Sequence, residues 1–318
     1  MQFDLEQIPP GTRQTRWLDV CRLDDQSMLG LPLLVVRGAR PGRTLVVLGG
    51  VHGDEYEGID AVRQVFESLD PAELSGAFIG APVCNPPAFA AQTRTSPIDD
   101  MNLARVFPGR ADGSLSERIA HVITTQITCF ADFLIDLHSS GSFMSMPLLA
   151  GYYQAENAAG RASREAALHF GLPVIWGHDG ASEGRSLSEP HSRGIPWLYS
   201  ESPSGGWLHD DVAGKYANGV RNVMRLLGIL PGQPERAPIE HDLAGEGNVD
   251  LSMTGPVDGF LSNRVELLEP VTEGDILGVI RDLAGVPIAE IHAPIAGRLM
   301  LRREAASVHA GDLLYLLS

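Results

Sequence analysis

Lysine is almost missing: Lys215 is the only one in 318 residues, so nearly every positive charge is an arginine. Chemistry that needs a lysine elsewhere is thereby excluded. Cysteine is scarce too. Cys21, Cys84 and Cys129 are too few and too scattered for a disulfide framework or a cysteine metal cage. No apolar run reaches the length needed to span a bilayer. Residues 1–7 hold Asp4 and Glu6 but no basic or apolar segment, so no secretory signal is read there and a cytoplasmic setting is expected. Positive charge is in deficit, with 24 Lys+Arg against 40 Asp+Glu and a net −16. A field of that sign argues against nucleic acid or an anionic membrane as the main partner.

What is present is an ordinary globular composition, 44% hydrophobic and 20% charged, enough for a sizeable core in one large domain or two of average size. Thr44–Leu48 (TLVVL) is a continuous apolar run of the kind buried on both faces of a sheet. Gly49-Gly50 follows, and then Ile59, Val62, Val65, Phe66 and Leu69 at helical spacing. The pattern recurs. Strands are expected at 31–36, 78–83, 133–137 (FLIDL), 173–176 and 195–199, and helices over 56–69, 115–131, 155–170 and 212–227. Residues 88–113 show no periodicity and read as one long functional loop. Strand–loop–helix repetition indicates an α/β sheet. After the Pro-rich stretch 231–238 the texture changes to short alternating strands and frequent glycines. The expected division is a catalytic domain over 1–235 and a small C-terminal β domain over 236–318.

His52-Gly53-Asp54-Glu55 is an H-x-x-E whose spacing alone says little. Ten histidines and 40 carboxylates make chance matches expected, and His309…Asp312 is a second one. Position is more informative. His52 and Glu55 lie just past the carboxyl end of one buried strand, and His138 lies just past another, at the edge where open α/β sheets bind ligands. If the two strands are parallel neighbours, two histidines and a glutamate converge. That set suits a catalytic zinc with one open position, though manganese or iron would accept the same donors. Gly49, Gly50, Gly53 and Gly141 beside these segments would let the backbone approach a ligand. Glu201, at the end of strand 195–199, is a candidate base, and a solvated loop carboxylate is an equal alternative. Arg94 and Arg105 in the long loop are candidate partners for developing negative charge, or surface charges. His178, His191 and His209 read as solvated loop histidines, Cys84 as a small buried hydrophobe, and Trp207 and Tyr216 as packing residues.

GGVHGDEYEG (49–58), NPPAF (85–89), the Arg94 segment, DDMNLARVFPG (99–109), LIDLHSSG (134–141) and the late Glu201 occur in one order. Together, over about 45–205, they resemble the succinylglutamate desuccinylase/aspartoacylase family, a branch of the zinc carboxypeptidase superfamily. The resemblance implies an α/β fold with a mixed sheet flanked by helices. It implies one zinc per chain held by His52, Glu55 and His138, Glu201 as general acid/base, and Arg94 polarising the scissile carbonyl. Arg105 would grip the substrate carboxylate through a guanidinium fork. Many relatives carry Asn immediately before that arginine. Here Ala104 stands there, and Asn102, two places earlier, is the remaining asparagine for the substrate. The implied activity is hydrolysis of a small N-acyl amino acid, and the wording HGDEYEG and the appended β domain look most like bacterial deacylases of N-acetylated diamino acids.

Residues 290–317 also resemble the second half of a biotinyl/lipoyl-type, barrel-sandwich domain. The segment 281–289, where its cofactor lysine should lie, has none, so covalent biotin or lipoate is excluded. A structural or oligomerisation module rimming the active site is the expectation. Two other functions stay open: a carboxypeptidase-like peptidase or amidase acting on larger substrates, and a non-catalytic metal-dependent binding protein.

Overall fold

The apolar run TLVVL forms the middle of a nine-stranded mixed sheet in the computed structural model, which describes residues 3–203 and 205–318. The strands up to the centre are β1 (Thr12–Arg22), β2 (Met28–Arg37), β3 (Arg40–Gly49), β4 (Ser75–Ala81) and β5 (Phe133–Leu137). After a short strand β6 (Met144–Ser145) that belongs elsewhere come β7 (Leu149–Tyr153), β8 (Val174–His178), β9 (Trp197–Glu201) and β10 (His241–Ala244). Their order across the sheet is β1-β2-β4-β3-β5-β9-β7-β8-β10. The centre is parallel: β3 pairs with β5 and β5 with β9, so all three strands end at one edge.

Alternation along β3 explains why Leu45–Leu48 carries no polar residue. Leu45 and Val47 enter one core and Val46 and Leu48 the other, all four fully buried. Each such side chain stabilises the fold by about 1.5–3 kcal/mol. The helices are α1 (Tyr56–Ser68), α2 (Pro86–Ala91), α3 (Leu115–Gln126), α4 (Ala158–Phe170), α5 (Ser188–Ser192) and α6 (Asp210–Leu226). Helices α1, α4 and α6 cover the first face through Val62, Phe170 and Tyr216, and α3 covers the second through Ile119 and Ile123. Local signals set their ends. Ser114 and Glu117 form a reciprocal capping box on α3, and α4 stops at Gly171, which is left-handed.

The expected strands and helices are present with shifted ends. Three differences have physical causes. Residues 88–113 are not one loop: Asn85 caps α2, and Leu103–Arg105 forms a 3₁₀ turn capped by Asn102. Both elements are too short to show a period. Strand β7 (LAGYY) was not anticipated, because small residues blur its pattern. The Pro-rich stretch does not lead directly into the C-terminal domain. The next strand, β10, pairs in parallel with β8 and extends the large sheet, so the sheet reaches past the expected boundary at 235/236.

Beyond β10 the chain forms two antiparallel sheets. Their strands are β11 (Met253–Thr254), β12 (Gly259–Asn263), β13 (Pro270–Val271), β14 (Ile276–Arg281), β15 (Pro287–His292), β16 (Gly297–Arg303), β17 (Ser307–Val308) and β18 (Leu313–Leu317). Leu261, Leu277 and Ile280 of one sheet meet Leu299, Leu314 and Tyr315 of the other. This small β unit is fastened to the α/β part twice. Strand β6 pairs with β16, and Met300, Leu301 and Leu316 pack on Met146, Leu149 and Trp176. Among the described residues no helix is long and apolar enough to cross a membrane.

Candidate active site

Because β3, β5 and β9 are adjacent and parallel, the segments that leave their carboxyl ends meet. His52 and Glu55 follow β3, His138 follows β5, and Glu201 is the last residue of β9. The three candidate metal ligands each offer one donor atom within 4.8 Å of the others, and all are buried. Glu55 sits between the histidines: its Oε1 lies 2.9 Å from His52 Nδ1 and its Oε2 2.9 Å from His138 Nδ1.

The outer faces of both imidazoles are already spoken for. His138 Nε2 lies 3.0 Å from Asp136 Oδ2, a carboxylate that also accepts from Ser186 Oγ. That nitrogen therefore carries a proton, and Nδ1 faces Glu55. His52 Nε2 lies 3.1 Å from Asn102 Oδ1. The Asn102 amide cannot be turned the other way, because Oδ1 also accepts from the Ala104 N–H at 2.9 Å. A neutral His52 donates to Asn102 and then points a bare Nδ1 at a carboxylate oxygen. The other tautomer only moves the clash to Asn102. Protonation would relieve it, yet burial, with help from Arg94, holds the His52 imidazolium below its usual range. A metal ion between Nδ1 and the carboxylate satisfies every atom. Histidine ligands held on their far nitrogen by a carboxylate or amide are the usual arrangement around a bound metal. Burial disfavours charge on His138 as well, but Asp136 and Glu55 outweigh it and raise that imidazolium well above the ordinary value. The pocket thus demands positive charge at this point.

The HGDEYEG segment gives each acid a separate task. Asp54 Oδ2 accepts from the N–H and Oγ of Ser142, both at 2.8 Å. Glu57 Oε1 lies 2.7 Å from His209 Nδ1 at the start of α6. Gly49 and Gly53 serve close packing of protein on protein. A Cβ on Gly53 would lie 2.0 Å from the carbonyl carbon of Ala88 in α2, and one on Gly49 would lie 2.8 Å from Gly58 in α1. Backbone cannot retreat as a flexible side chain can. Gly53→Ala is therefore expected to destabilise the protein by about 1–3 kcal/mol and to weaken metal retention with it. Chemical denaturation beside metal content would check this, and an unchanged midpoint would count against the close packing.

Glu201 faces the same cavity, which has a volume of about 430 Å³ and is lined also by Arg94, Arg105 and Asp250. Its Oε2 is shielded and has no hydrogen-bond partner among the described residues. Burial raises its pKa to about 8, Glu55 and Asp136 push the same way, and His138 and Arg94 oppose them. Arg94 Nη1 donates to Glu55 Oε1 at 2.9 Å, so one of its nitrogens is committed at the His52–Glu55–His138 cluster. The structure brings Arg105 to the cavity but pairs it. Its Nε and Nη2 donate to Asp250 Oδ1 at 3.1 and 2.6 Å. Asn102 spends its amide oxygen on His52 and the Ala104 N–H, leaving only its NH₂ for anything else.

Several residues differ from expectation. His178 is not a solvated loop residue. It ends β8, is buried, and holds Gly245 O and the Tyr199 hydroxyl at 2.8 Å each. Tyr216 is buried and donates to the carbonyl of His138 at 2.9 Å, so it fixes a ligand segment as well as packing. Trp207 does not pack: it is 66% exposed. Cys84 is buried with its thiol pushed far up by burial, consistent with a small hydrophobe. Arg185 and Asp250 were missed altogether. Nothing in their local sequence separates them from other surface charges.

Residues 41–227 match the succinylglutamate desuccinylase/aspartoacylase catalytic domain. The chain is 31% identical over 299 residues to N-alpha-acetyl-L-2,4-diaminobutyric acid deacetylase of Halomonas elongata, covering 91% of this chain and 86% of that one. Among solved structures it is similar to the product-bound ectoine utilization protein EutE (DoeB) from Ruegeria pomeroyi, with a TM-score of 0.87, 28% identity and coverage of 98% and 97%. It is also similar to a succinylglutamate desuccinylase/aspartoacylase from Rhodobacter sphaeroides, with a TM-score of 0.84, 27% identity and coverage of 98% and 96%. The chain belongs to the succinylglutamate desuccinylase/aspartoacylase family.

Proposed function

We propose that this family member is a zinc-dependent amidohydrolase that cleaves a small N-acyl amino acid into a carboxylate and a free amino acid. The observation that carries the metal reading is the contact between His52 and Glu55, which a metal cation would satisfy once Asn102 and Ala104 have fixed the imidazole from outside. A zinc ion held by His52, Glu55 and His138 would supply Lewis acidity, acidifying a water molecule and polarising the amide carbonyl.

The remaining work falls to side chains of the chain. Glu201, with a shielded oxygen and a pKa near 8, accepts a proton from the attacking water and returns it to the leaving amine. Arg94 presents a guanidinium beside the cluster and stabilises negative charge that develops on the carbonyl oxygen. Arg105 and Arg185, at the other side of the cavity, orient the substrate through its carboxylate. The named relatives support an N-acyl amino acid as substrate class, and a cavity of about 430 Å³ has room for a small molecule of that kind.

A panel of N-acetyl and N-succinyl amino acids, beside peptides with free carboxyl ends, tests this reading in zinc-loaded protein. Release of free amine from one or more short N-acyl amino acids, with little from peptides, is the expected result. Preferential cleavage of peptides would favour the peptidase, and tight binding without cleavage the binding protein.

A further inference from the structure

Two guanidiniums in the active-site cavity share one carboxylate. Arg105 gives Asp250 Oδ1 two hydrogen bonds, at 3.1 and 2.6 Å, and Arg185 Nη2 gives Oδ2 one at 3.0 Å. Asp250 comes from a short 3₁₀ turn (Val249–Leu251) just after β10, and Asn248, which caps that turn, also accepts from Arg185 Nη2 at 2.7 Å. The other arginines of the cavity have their own carboxylates. Arg94 is on Glu55 at 2.9 Å and Arg303 on Asp312 at 2.9 Å. Glu246, on the same segment as Asp250, adds negative charge at the rim. Within the trio of Arg105, Arg185 and Asp250 one guanidinium charge is left over for a substrate carboxylate, and Glu246 keeps the cavity from offering charge for a second one. The Arg105 edge that would clamp a second carboxylate is filled by the protein itself.

We propose that Asp250 is a specificity-determining residue. It cancels one of the two guanidiniums, so that the site takes an amino acid with a single carboxylate and a neutral or cationic side chain and rejects dicarboxylic amino acids. This rests on the N-acyl amino acid reading above and adds the charge class of the amino acid. A second carboxylate would meet Asp250 across a short distance in a partly desolvated pocket, where like charges repel strongly. An ammonium group would meet an acceptor with free lone pairs.

The test compares wild type, Asp250→Asn and Asp250→Glu in zinc-loaded protein. Calorimetry measures binding of the free amino acids L-aspartate and L-2,4-diaminobutyrate, which cannot be turned over, and initial rates are measured on their N-acetyl derivatives. Wild type should favour diaminobutyrate in both assays. Asp250→Asn should shift the ratio of affinities and of kcat/KM toward aspartate by about tenfold or more, and Asp250→Glu should keep the wild-type preference. Arg185→Gln, which removes the surplus charge, should weaken both amino acids. An unmoved ratio in Asp250→Asn, or an equal loss for both amino acids, would overturn the proposal and leave Asp250 as a prop for Arg105. Unchanged affinities in Arg185→Gln would also overturn it. If neither N-acetyl compound is cleaved while the binding ratio still shifts, the hydrolase reading falls and the role of Asp250 stands. If neither amino acid binds, both fall.

Discussion

Glu201→Gln should lower turnover by about 10²–10⁴-fold, the usual cost of losing a positioned general acid/base, while metal content stays at the wild-type level. The substitution keeps shape and hydrogen-bonding reach and removes only the ability to exchange a proton. Glu201 is placed for that role by the fold. It is the last residue of β9, one strand from the end of β5 that carries His138 and two from the end of β3 that carries His52 and Glu55. Burial raises its pKa to about 8, and the nearby carboxylates of Glu55 and Asp136 add to the rise. A carboxyl group so poised changes protonation near neutral pH, where an exposed glutamate would be fully ionised. Oε2 has no hydrogen-bond partner among the described residues, so none of them holds it by a contact that the amide would break. Steady-state rates and elemental analysis on the same preparations separate the outcomes. Near-wild-type turnover with metal bound would remove Glu201 from the chemistry. Loss of metal together with activity would make it part of the metal's surroundings.

How much of this was legible in the sequence follows from how local each signal is. The buried strands are visible because, Thr44 apart, every residue of TLVVL and FLIDL is apolar or, as with Asp136, is consumed in the site. Their carboxyl ends then point to His52, Glu55 and His138, and parallel adjacency, which the sequence could only assume, brings them together. The meaning of the glycines was not legible, because a glycine needed for contact with α2 looks the same as one needed for contact with a ligand. Asn102 shows the limit more sharply. Its side chain is set by a turn three residues long and by a histidine fifty positions away, and neither leaves a periodic trace. Asp250 lies 145 positions from Arg105. No spacing rule reaches so far, and one carboxylate among 40 carries no distinguishing composition. The strands that frame a site can be read locally, whereas the charges that tune it come from segments joined only by the fold.

His138→Ala should abolish stable metal binding. Protein purified without chelator and offered zinc should retain about one ion per chain in the wild type and little in the variant, since a catalytic zinc site has only three protein ligands. The variant also removes the imidazole that Asp136 holds at the end of β5. Asn102→Ala provides the graded comparison. It leaves all three ligands in place and removes the acceptor that fixes the His52 proton on Nε2, together with the cap on the Leu103–Arg105 turn, so the imidazole is free to take the tautomer that donates to Glu55. Zinc then has to displace a hydrogen bond that the wild type does not allow. Affinity should fall by about 10–100-fold, as for other outer partners of histidine ligands, without disappearing. Competition with a chromophoric chelator reads both variants on one scale. Full retention of zinc by His138→Ala would show that the cluster is not the metal site. Equal affinity in Asn102→Ala and wild type would leave the cluster as the site and remove the tautomer from its explanation.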